Sequence, residues 1–570
     1  MPLSWNEIKS RALTFSRTWD DAANEDSQAK PFWIDFFEIF GITDKRVATF
    51  ELNVKKLGKA QGFVDLFWPG MLLVEHKSRG KDLDRAFQQA LDYFPGLPER
   101  DLPQIIIVCD FARFRVHRLA TGGAGGKDGE TVEFALKDLH KHIRQFGFIA
   151  GYKVQEIKAQ DPVNIKAAER MGRLHDALKA SHYEGHPLEV LLVRLLFCLF
   201  ADDTGIFQPA QAFRAFIEER TSADGSDVGP RLAQLFQVLN TPDAKRSPAL
   251  DAQLATFPYT NGKLFEESLP MADFTAPMRE ALLDACALDW SAISPAIFGS
   301  LFQSIMDAKA RRNLGAHYTS EENIQKLIGP LFLDDLHAEF DKVKNNRNRL
   351  FDFHKKLRTL TFFDPACGCG NFLVISYREL RLLELQVLRA SHELSGNAGQ
   401  KSVDVHSLIG IDVDQFYGIE IEEFPAQIAQ VALWLMDHQL NLRASEEFGL
   451  YFARIPLKTS PHIVFGNALR LDWNEVLPAE RCSFIVGNPP FIGHHLQTVD
   501  QKAEMLMCFR DAKAAGVMDF VAAWYCKASD YIADSDIRVA FVSTNSITQG
   551  EQVGILWRAL LSRRKLHIHF

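Results

Sequence analysis

Long apolar runs are scarce in this sequence of 570 residues. The most apolar segment, Leu188–Phe200, is interrupted by Glu189 and Arg194 and is shorter than the roughly 20 residues that span a bilayer. The N-terminus also has no apolar stretch of signal-peptide length. The eight cysteines have no repeating spacing, which argues against a disulfide framework and a zinc knuckle. Together these absences predict a cytoplasmic protein without a membrane partner.

A strong charge imbalance is absent too, because 64 basic residues are set against 73 acidic ones and the net charge is −9. This balance argues against a protein that coats DNA through overall basicity, but it allows a local basic groove. Segments 342–358 and 563–565 are rich in Lys and Arg, and they are candidates for contact with phosphates or for solvated helix faces. With 47% hydrophobic and 24% charged residues, the composition excludes wholesale disorder.

The patterning divides the chain into three regions and predicts a multidomain α/β fold. Residues 1–155 mix strands with helices, and residues 156–300 show apolar residues at helical spacing. From 301 to 570 strands and helices alternate, which is typical of a mainly parallel sheet. Strands of the first region are expected at 64–67, 71–74 and 104–109, with an exposed Gly-rich turn at 121–129.

The segment TFFDPACGCGNF, residues 361–372, has the features of a ligand-binding loop. An apolar strand ends at Asp364, a loop of small residues follows, and a helix is predicted to begin near Asn371. Gly368 and Gly370 allow the backbone to turn tightly and to approach a ligand closely. The N-terminus of the helix favours a negative group, such as a carboxylate.

Glu420 ends a second apolar strand, FYGIE. A carboxylate at this place can accept hydrogen bonds from both hydroxyl groups of a ribose. The separation from Gly370 exceeds the usual gap of about 20 residues, so the segment 390–405 is expected to be an insertion. A solvated carboxylate at the end of a strand is the alternative for Glu420 taken alone.

A third apolar strand ends in Asn488-Pro489-Pro490-Phe491. Methylation of an exocyclic amine requires that both N–H groups be held while the nitrogen lone pair faces the methyl group. The Asn488 side-chain oxygen can accept one N–H and the backbone carbonyl of Pro489 the other, since the prolines fix the direction of that carbonyl. Phe491 offers a face on which a base can stack after leaving the duplex. A Pro-Pro turn after a strand is the alternative.

In this order, FDPACGCGNF, GIEI and NPPF resemble the motifs of the γ-class of S-adenosylmethionine-dependent DNA adenine methyltransferases. The segment LGAHYTS, 314–320, resembles the part of that class that closes over the methionine end of the cofactor. Asn467, followed by Ala468, stands where the class often has an Asp that contacts the cofactor adenine. Cytosine C5 transfer is disfavoured, because the sequence has no Pro-Cys pair. The resemblance implies that the cofactor site also includes Tyr318, Thr319, Asp364, Pro365, Ala366, Gly368, Gly370, Glu420 and Ile421.

Residues 62–78, GFVDLFWPGMLLVEHKS, are predicted to form two strands joined by a turn. Asp65 lies on the first strand, and Glu75 and Lys77 share one face of the second. The two carboxylates can hold Mg²⁺, which activates water and stabilises the leaving oxygen of a phosphodiester. Lys77 can orient the water or offset the developing charge. A charged hairpin face is the alternative on these residues alone.

This layout resembles the PD-(D/E)XK nucleases, including a Gln-xxx-Tyr helix at Gln89 and Tyr93. The opening LSWNEIKSRALTF and the segment LFCLFADDTGI, 196–206, resemble the MmeI family of single-chain type IIL restriction–modification enzymes. That resemblance implies a nuclease at 1–155, a helical spacer at 156–300 and a methyltransferase core at 301–570. Such enzymes carry a target-recognition domain after the core, and this chain is expected to lack it.

The predicted function is transfer of a methyl group from S-adenosylmethionine to the N6 amine of adenine in double-stranded DNA. Cleavage of DNA with Mg²⁺, held by Asp65 and Glu75, is predicted to accompany it in a restriction–modification system. Oligomerisation on DNA for cleavage is left open. Three alternatives stand beside this prediction: a methyltransferase whose N-terminal domain binds DNA without cutting, methylation of another NH₂ group such as a protein glutamine amide, and a non-catalytic fragment that binds cofactor and DNA.

Overall fold

The fold is described from a computed structural model. The described residues are 3, 5–42, 49–55, 61–97, 101–119, 130–150, 162–260, 263–297, 319–394, 409–448, 461–509, 516–548, 552–563 and 566–569. The expected turn at 121–129 and Tyr318 lie outside these ranges, as does most of the expected insertion at 390–405.

A six-stranded mixed sheet lies in the N-terminal region, with its strands in the order β1-β2-β3-β4-β5-β6. β3 and β4 pair in parallel, and the other neighbours pair antiparallel. The three expected strands correspond to β2, β3 and β4. The bounds are β1 Thr49–Lys55, β2 Gln61–Trp68, β3 Leu72–His76, β4 Ile105–Cys109, β5 Arg113–Arg118 and β6 Thr131–Ala135, with helices α1 Trp5–Thr18, α2 Glu25–Ile39, α3 Leu83–Leu91 and α4 Leu139–His142.

The core on one face of this sheet is aromatic. Rings from α1, α2 and β5 pack together, with centroids 4.9 Å apart for Phe15 and Phe32 and 5.6 Å apart for Phe36 and Phe114. β3 and β4 are buried along their whole length, which accounts for their unbroken apolar sequences. The sheet is therefore a rigid base for the charged residues at the end of β3.

The middle region is helical, and the structure describes no strand within 162–260 or 263–297. α6 is its central helix and is buried along most of its length. Among the described helices, none has both the length and the apolar character that a membrane span requires. The bounds are α5 Pro162–Ala180, α6 His186–Asp203, α7 Ala212–Arg220, α8 Val228–Leu239, α9 Ala252–Ala255 and α10 Ala276–Cys286.

Polar contacts join the helical region to its neighbours. Arg214, which is buried on α7, forms an ion pair with Asp101 beside β4 of the first sheet. Toward the C-terminal region, His438 of that region shares a 2.8 Å hydrogen bond with the carbonyl of Thr204 in the helical region. The Gln439 amide donates to the carbonyl of Ile293 over 2.9 Å. The helices thus contact both sheet-containing regions.

The C-terminal region contains a five-stranded parallel sheet in the order β11-β10-β7-β8-β9. This confirms the α/β class and the parallel sheet. The strands are β7 Phe362–Asp364, β8 Phe416–Glu420, β9 His462–Phe465, β10 Phe484–Gly487 and β11 Arg538–Phe541. The helices are α11 Glu321–Ile328, α12 Asp334–Val343, α13 Arg347–Leu357, α14 Asn371–Leu394, α15 Glu423–Phe448, α16 Trp473–Val476, α17 Val499–Phe509, α18 Ala522–Tyr531 and α19 Gln552–Trp557.

The strand order places the candidate residues at one edge of this sheet. The chain passes from β7 outward through β8 to β9, and then returns to place β10 on the other side of β7. Ligands of open parallel sheets bind at such a reversal, beyond the carboxyl ends of the strands. The residues that follow β7, β8, β9 and β10 all lie at that edge.

Candidate active sites

A cavity of about 490 Å³ lies at the carboxyl ends of β7, β8, β9 and β10. Many of the residues predicted from the sequence line it together, although they come from five separate segments. Tyr318 is outside the described residues, and Asp364, Pro365, Gly370, Pro489 and Phe491 do not line the cavity. The predicted residues that line it are Thr319, Ala366, Gly368, Glu420, Ile421, Asn467, Ala468, Asn488 and Pro490.

The two glycines of the loop after β7 have different tasks. Both have left-handed backbones, with φ of 54° at Gly368 and 82° at Gly370. A Cβ at Gly368 would meet nothing within 4 Å, whereas a Cβ at Gly370 would lie 2.9 Å from the Cβ of Ala429 on α15. Gly368 therefore allows the loop to turn beside the cavity. Gly370 allows the start of α14 to pack closely against Ala429 of α15.

Asp364 supports the loops rather than facing the cavity. Its side chain is fully buried, and Oδ1 accepts a 3.0 Å hydrogen bond from the backbone N–H of Ala366. A Cβ at Gly487, the last residue of β10, would lie 2.5 Å from the same oxygen. Burial, with a smaller effect of Glu420, raises the pKa of Asp364 to about 8. These contacts hold the loop after β7 close to the end of β10, and the place of Asp364 in the cofactor site stays a prediction.

Glu420 fixes the loop after β8 and faces the cavity. Oε2 accepts a 2.8 Å hydrogen bond from the backbone N–H of Gly368, and Oε1 accepts one of 3.0 Å from Glu422. The backbone carbonyl of Glu420 accepts from Gly466, so the loops after β7, β8 and β9 are connected through one residue. Burial raises the pKa of Glu420 to about 7. Hydroxyl groups of a bound ribose that donate to Glu420 would therefore lower this pKa and favour the ionised carboxylate.

Asn488 contacts the segment that precedes α11. Its Nδ2 donates a 2.8 Å hydrogen bond to Oγ1 of Thr319, which is buried. The loop around Asn488 is fixed farther on, because Asp519 Oδ1 accepts from the backbone N–H of Ile492 over 3.2 Å. Phe491, in contrast, is half-buried and lies outside the cavity lining.

Several cavity residues were not predicted from the sequence. Glu504 on α17 accepts hydrogen bonds from the amide of Asn467 and from Arg470. Phe520 and Trp524 add apolar surface, and the Trp524 indole N–H donates to the carbonyl of Pro365 over 3.2 Å. These residues belong to no local motif. Their only sequence signal is a helical segment that follows the Asn-Pro-Pro-Phe strand end.

A second charged cluster lies at the end of β3 in the first sheet. Glu75 is fully buried, and its Oε1 lies 2.8 Å from Nζ of Lys77. Asp65 Oδ2 accepts a 2.6 Å hydrogen bond from the backbone N–H of His76. Glu25, which the sequence analysis missed, begins α2 and places Oε1 3.3 Å from Lys77 Nζ. The predicted Asp65, Glu75 and Lys77 are thus brought together, with a third carboxylate beside them.

The electrostatics of this cluster keep Lys77 charged. Burial by itself would lower the pKa of Lys77, but Glu75, Asp65 and Glu25 outweigh burial and raise the pKa above its usual value. Burial and the Lys77 charge lower the pKa of His76 to about 3, so this imidazole is neutral. Within the described part of the chain, no three or more His, Cys, Asp or Glu residues are grouped to hold a metal. Mg²⁺ needs fewer protein ligands than that, because proteins commonly bind it through one or two carboxylates, and Asp65 and Glu75 provide two.

The basic segment 342–358 is partly neutralised by neighbouring acids. Lys344 pairs with Asp341 over 2.7 Å, and Lys356 pairs with Glu339 over 2.6 Å. Surface pairs of this kind contribute little to stability and leave the cations accessible to phosphates. Contact of this segment with DNA stays a prediction, and Lys565 of the second basic segment lies outside the described residues.

The parallel sheet and its cavity define a methyltransferase domain joined through helices to a mixed sheet with a charged cluster. Three family models match in the same order: the MmeI N-terminal domain at residues 10–181, the MmeI helicase spacer domain at 186–265 and the MmeI DNA-methyltransferase domain at 340–570. The chain belongs to the MmeI family. The domain boundaries at 155/156 and 300/301, on either side of the helical spacer, stay predictions.

Two relatives set the extent of the similarity. DNA methyltransferase A of Bacillus subtilis (strain 168) is 34% identical over 540 residues, which cover 92% of this chain and 58% of that protein. A solved structure of the type IIL restriction–modification enzyme MmeI in complex with DNA is 67% identical, with a TM-score of 0.67. That similarity covers 71% of this chain and 53% of the MmeI chain. This chain therefore spans little more than half the length of either relative.

Proposed function

We propose that this chain transfers a methyl group from S-adenosylmethionine to the N6 amine of adenine in double-stranded DNA. The observation that carries the proposal is the cavity shared by Gly368, Glu420 and Asn488. It joins a glycine loop, a carboxylate suited to a ribose and an amide suited to an exocyclic amine. The methyltransferase family match and the DNA bound to the related MmeI structure support the same choice.

The residues after β10 hold the amine. The Asn488 Oδ1 atom accepts one amine N–H and the Pro489 carbonyl accepts the other, which directs the nitrogen lone pair toward the cofactor side of the cavity. When bound, S-adenosylmethionine supplies an electrophilic methyl group on a positively charged sulfur. The new N–C bond forms as the S–C bond breaks, and the amine loses one proton to solvent. No covalent bond between enzyme and base is needed.

The test is single-molecule sequencing of DNA from cells that express this chain, beside cells that carry the empty vector. Methyladenine at one short motif, present only with the chain, is the expected result. Methyl groups on cytosine, or on protein glutamine with unmodified DNA, would contradict the choice of adenine as the substrate. DNA and protein that both stay unmodified would favour a non-catalytic cofactor-binding role.

Thr319→Val is expected to lower the kcat of methyl transfer about tenfold, the effect of losing one hydrogen bond of about 1.4 kcal/mol. A threonine hydroxyl can accept from Asn488 Nδ2 and so support the orientation in which Oδ1 faces the amine. Thr319→Ser keeps the hydroxyl and is expected to retain kcat within about twofold. Steady-state rates with DNA, together with cofactor affinity by calorimetry, check this. Equal rates for the Val and Ser variants would show that Thr319 does not position Asn488.

Affinity for S-adenosylhomocysteine is expected to fall as the pH decreases through about 7, the value to which burial raises the pKa of Glu420. Ribose hydroxyls donate to the ionised carboxylate, so binding is strongest above this pH and weakens up to tenfold per pH unit below it. Calorimetric Kd values between pH 5.5 and 8.5 measure the effect. Glu420→Gln should bind more weakly at high pH and lose this dependence. A wild-type Kd that is constant below pH 7 would disprove the assignment.

We further propose that the cluster around Glu75 cleaves DNA in a restriction–modification system, and that cofactor binding licenses the cleavage. The supporting observation is the charged Lys77 between Glu75 and Glu25, beside Asp65. Asp65 and Glu75 would hold Mg²⁺, which supplies an activated water and stabilises the leaving oxygen. Lys77 offsets negative charge on the phosphate during the reaction.

A further inference from the structure

We propose that Glu504 recognises the amino group of the cofactor adenine and makes this site selective for adenosine over inosine. The inference rests on the proposed function, because it takes S-adenosylmethionine as the cofactor. It assigns a role to a residue for which the sequence analysis found none. Its support is the position of Glu504 at the β9 end of the cavity and the hydrogen bonds that its carboxylate makes.

The strand order fixes which end of the cavity receives the base. The reacting methyl group must lie beside Asn488, which follows β10, and the ribose beside Glu420, which ends β8. Because the order is β10-β7-β8-β9, a nucleoside that extends from Asn488 past Glu420 brings its base to the loop after β9. Asn467 and Arg470 lie on that loop, and Glu504 of α17 lies against it.

Glu504 is held with one oxygen occupied and one oxygen open. The residue is only 4% exposed, yet it lines the cavity. Oε1 accepts 2.8 Å and 2.7 Å hydrogen bonds from Asn467 Nδ2 and Arg470 Nε. None of the described residues donates to Oε2. Oε2 is therefore open to the cavity, where it can accept a hydrogen bond from an N–H group of a bound ligand.

At the 6-position adenine supplies that donor and hypoxanthine does not. The 6-amino group of adenine carries N–H donors, whereas the 6-oxo group of hypoxanthine is an acceptor and would face the carboxylate with like polarity. Ile421 and Phe520 line the same cavity and give apolar surface for the faces of the ring. Asn467 completes the arrangement as a donor, because its Oδ1 accepts from the backbone N–H of Leu469 over 2.9 Å and Nδ2 is directed at Glu504.

Calorimetry with S-adenosylhomocysteine and its deaminated analogue S-inosylhomocysteine tests the proposal without requiring turnover. The wild-type chain is expected to bind the adenosyl compound about tenfold or more tightly than the inosyl compound. Glu504→Gln should reduce that preference to about twofold or less, since its amide can donate to the 6-oxo group. Glu475→Gln, which changes an exposed carboxylate on α16 outside the cavity lining, should keep the wild-type preference. Unchanged selectivity of Glu504→Gln would overturn the assignment.

Exchanging the acid and the amide between Asn467 and Glu504 gives an independent test, which remains informative if one single variant folds poorly. Asn467→Asp places two carboxylates at the 2.8 Å contact and should weaken adenosyl binding about tenfold or more. Combination with Glu504→Gln restores one acid and one amide and should recover most of that loss. A double variant no better than Asn467→Asp would contradict the proposed pairing. If the wild-type chain binds neither compound, the proposed function itself fails and this inference with it.

Discussion

Asn488→Ala is expected to slow methyl transfer by on the order of a hundredfold or more, while the Kd for S-adenosylhomocysteine changes less than about twofold. The Asn488 oxygen is proposed to hold one N–H of the target amine, and loss of one such positioned group typically lowers kcat by about 10² to 10³. The cofactor is proposed to be held mainly elsewhere in the cavity, at Gly368 and Glu420. Transfer of labelled methyl groups to unmethylated genomic DNA measures the rate, and calorimetry measures the binding.

The matched control is Asn545→Ala, which removes an exposed asparagine on the loop after β11. It should leave both the rate and the Kd at wild-type values. An Asn488→Ala variant that methylates at full rate would contradict the proposed mechanism. A variant that loses cofactor binding as well would instead show that Asn488 shapes the cofactor end of the cavity, and the amine-holding role would then fail.

Candidate site residues could be predicted from the sequence where they lie in a short motif at the end of a strand. Strands that end at Asp364, at Glu420 and in the Asn488-Pro489-Pro490-Phe491 segment were predicted, because an apolar run followed by Gly, acid or Pro-Pro marks the end of a parallel strand. The loops that follow these strands meet at one edge of the sheet. The glycine pattern was less informative, because spacing does not distinguish a glycine that serves the cavity from Gly370, which packs against Ala429.

The missed residues depend on tertiary contacts. Glu504 lies 37 positions from Asn467, and Glu25 lies 52 positions from Lys77, yet each forms a close polar pair. No periodicity links such partners, because each pair is brought together by the packing of a helix against a loop or a strand end. If Glu504 has the role proposed for it, it supplies the acid at the place where Asn467 replaces a common Asp. A sequence can therefore show a missing acid without showing which residue takes its place.

The charged cluster around Glu75 also depends on tertiary contacts, and substitution of Lys77 is its strongest test. Lys77→Ala is expected to reduce DNA cleavage by on the order of a hundredfold or more, while methylation stays within about twofold of wild type. The ammonium group lies 2.8 Å from Glu75 and 3.3 Å from Glu25, and the surrounding acids raise its pKa, so it is cationic at neutral pH. Its removal takes positive charge away from the place where the phosphate is proposed to react.

Plasmid cleavage in the presence of Mg²⁺ and S-adenosylmethionine measures this effect, and chelation of the metal should stop the wild-type reaction. Lys141→Ala is the matched control, since Lys141 is an exposed lysine of the same region that pairs with Asp138. Retained methylation by Lys77→Ala separates a local effect from unfolding of the whole chain. Undiminished cleavage by this variant would remove the nuclease assignment. Wild-type protein that methylates DNA but does not cut it would favour an N-terminal region that binds DNA, because the charged cluster would then lack the reaction proposed for it.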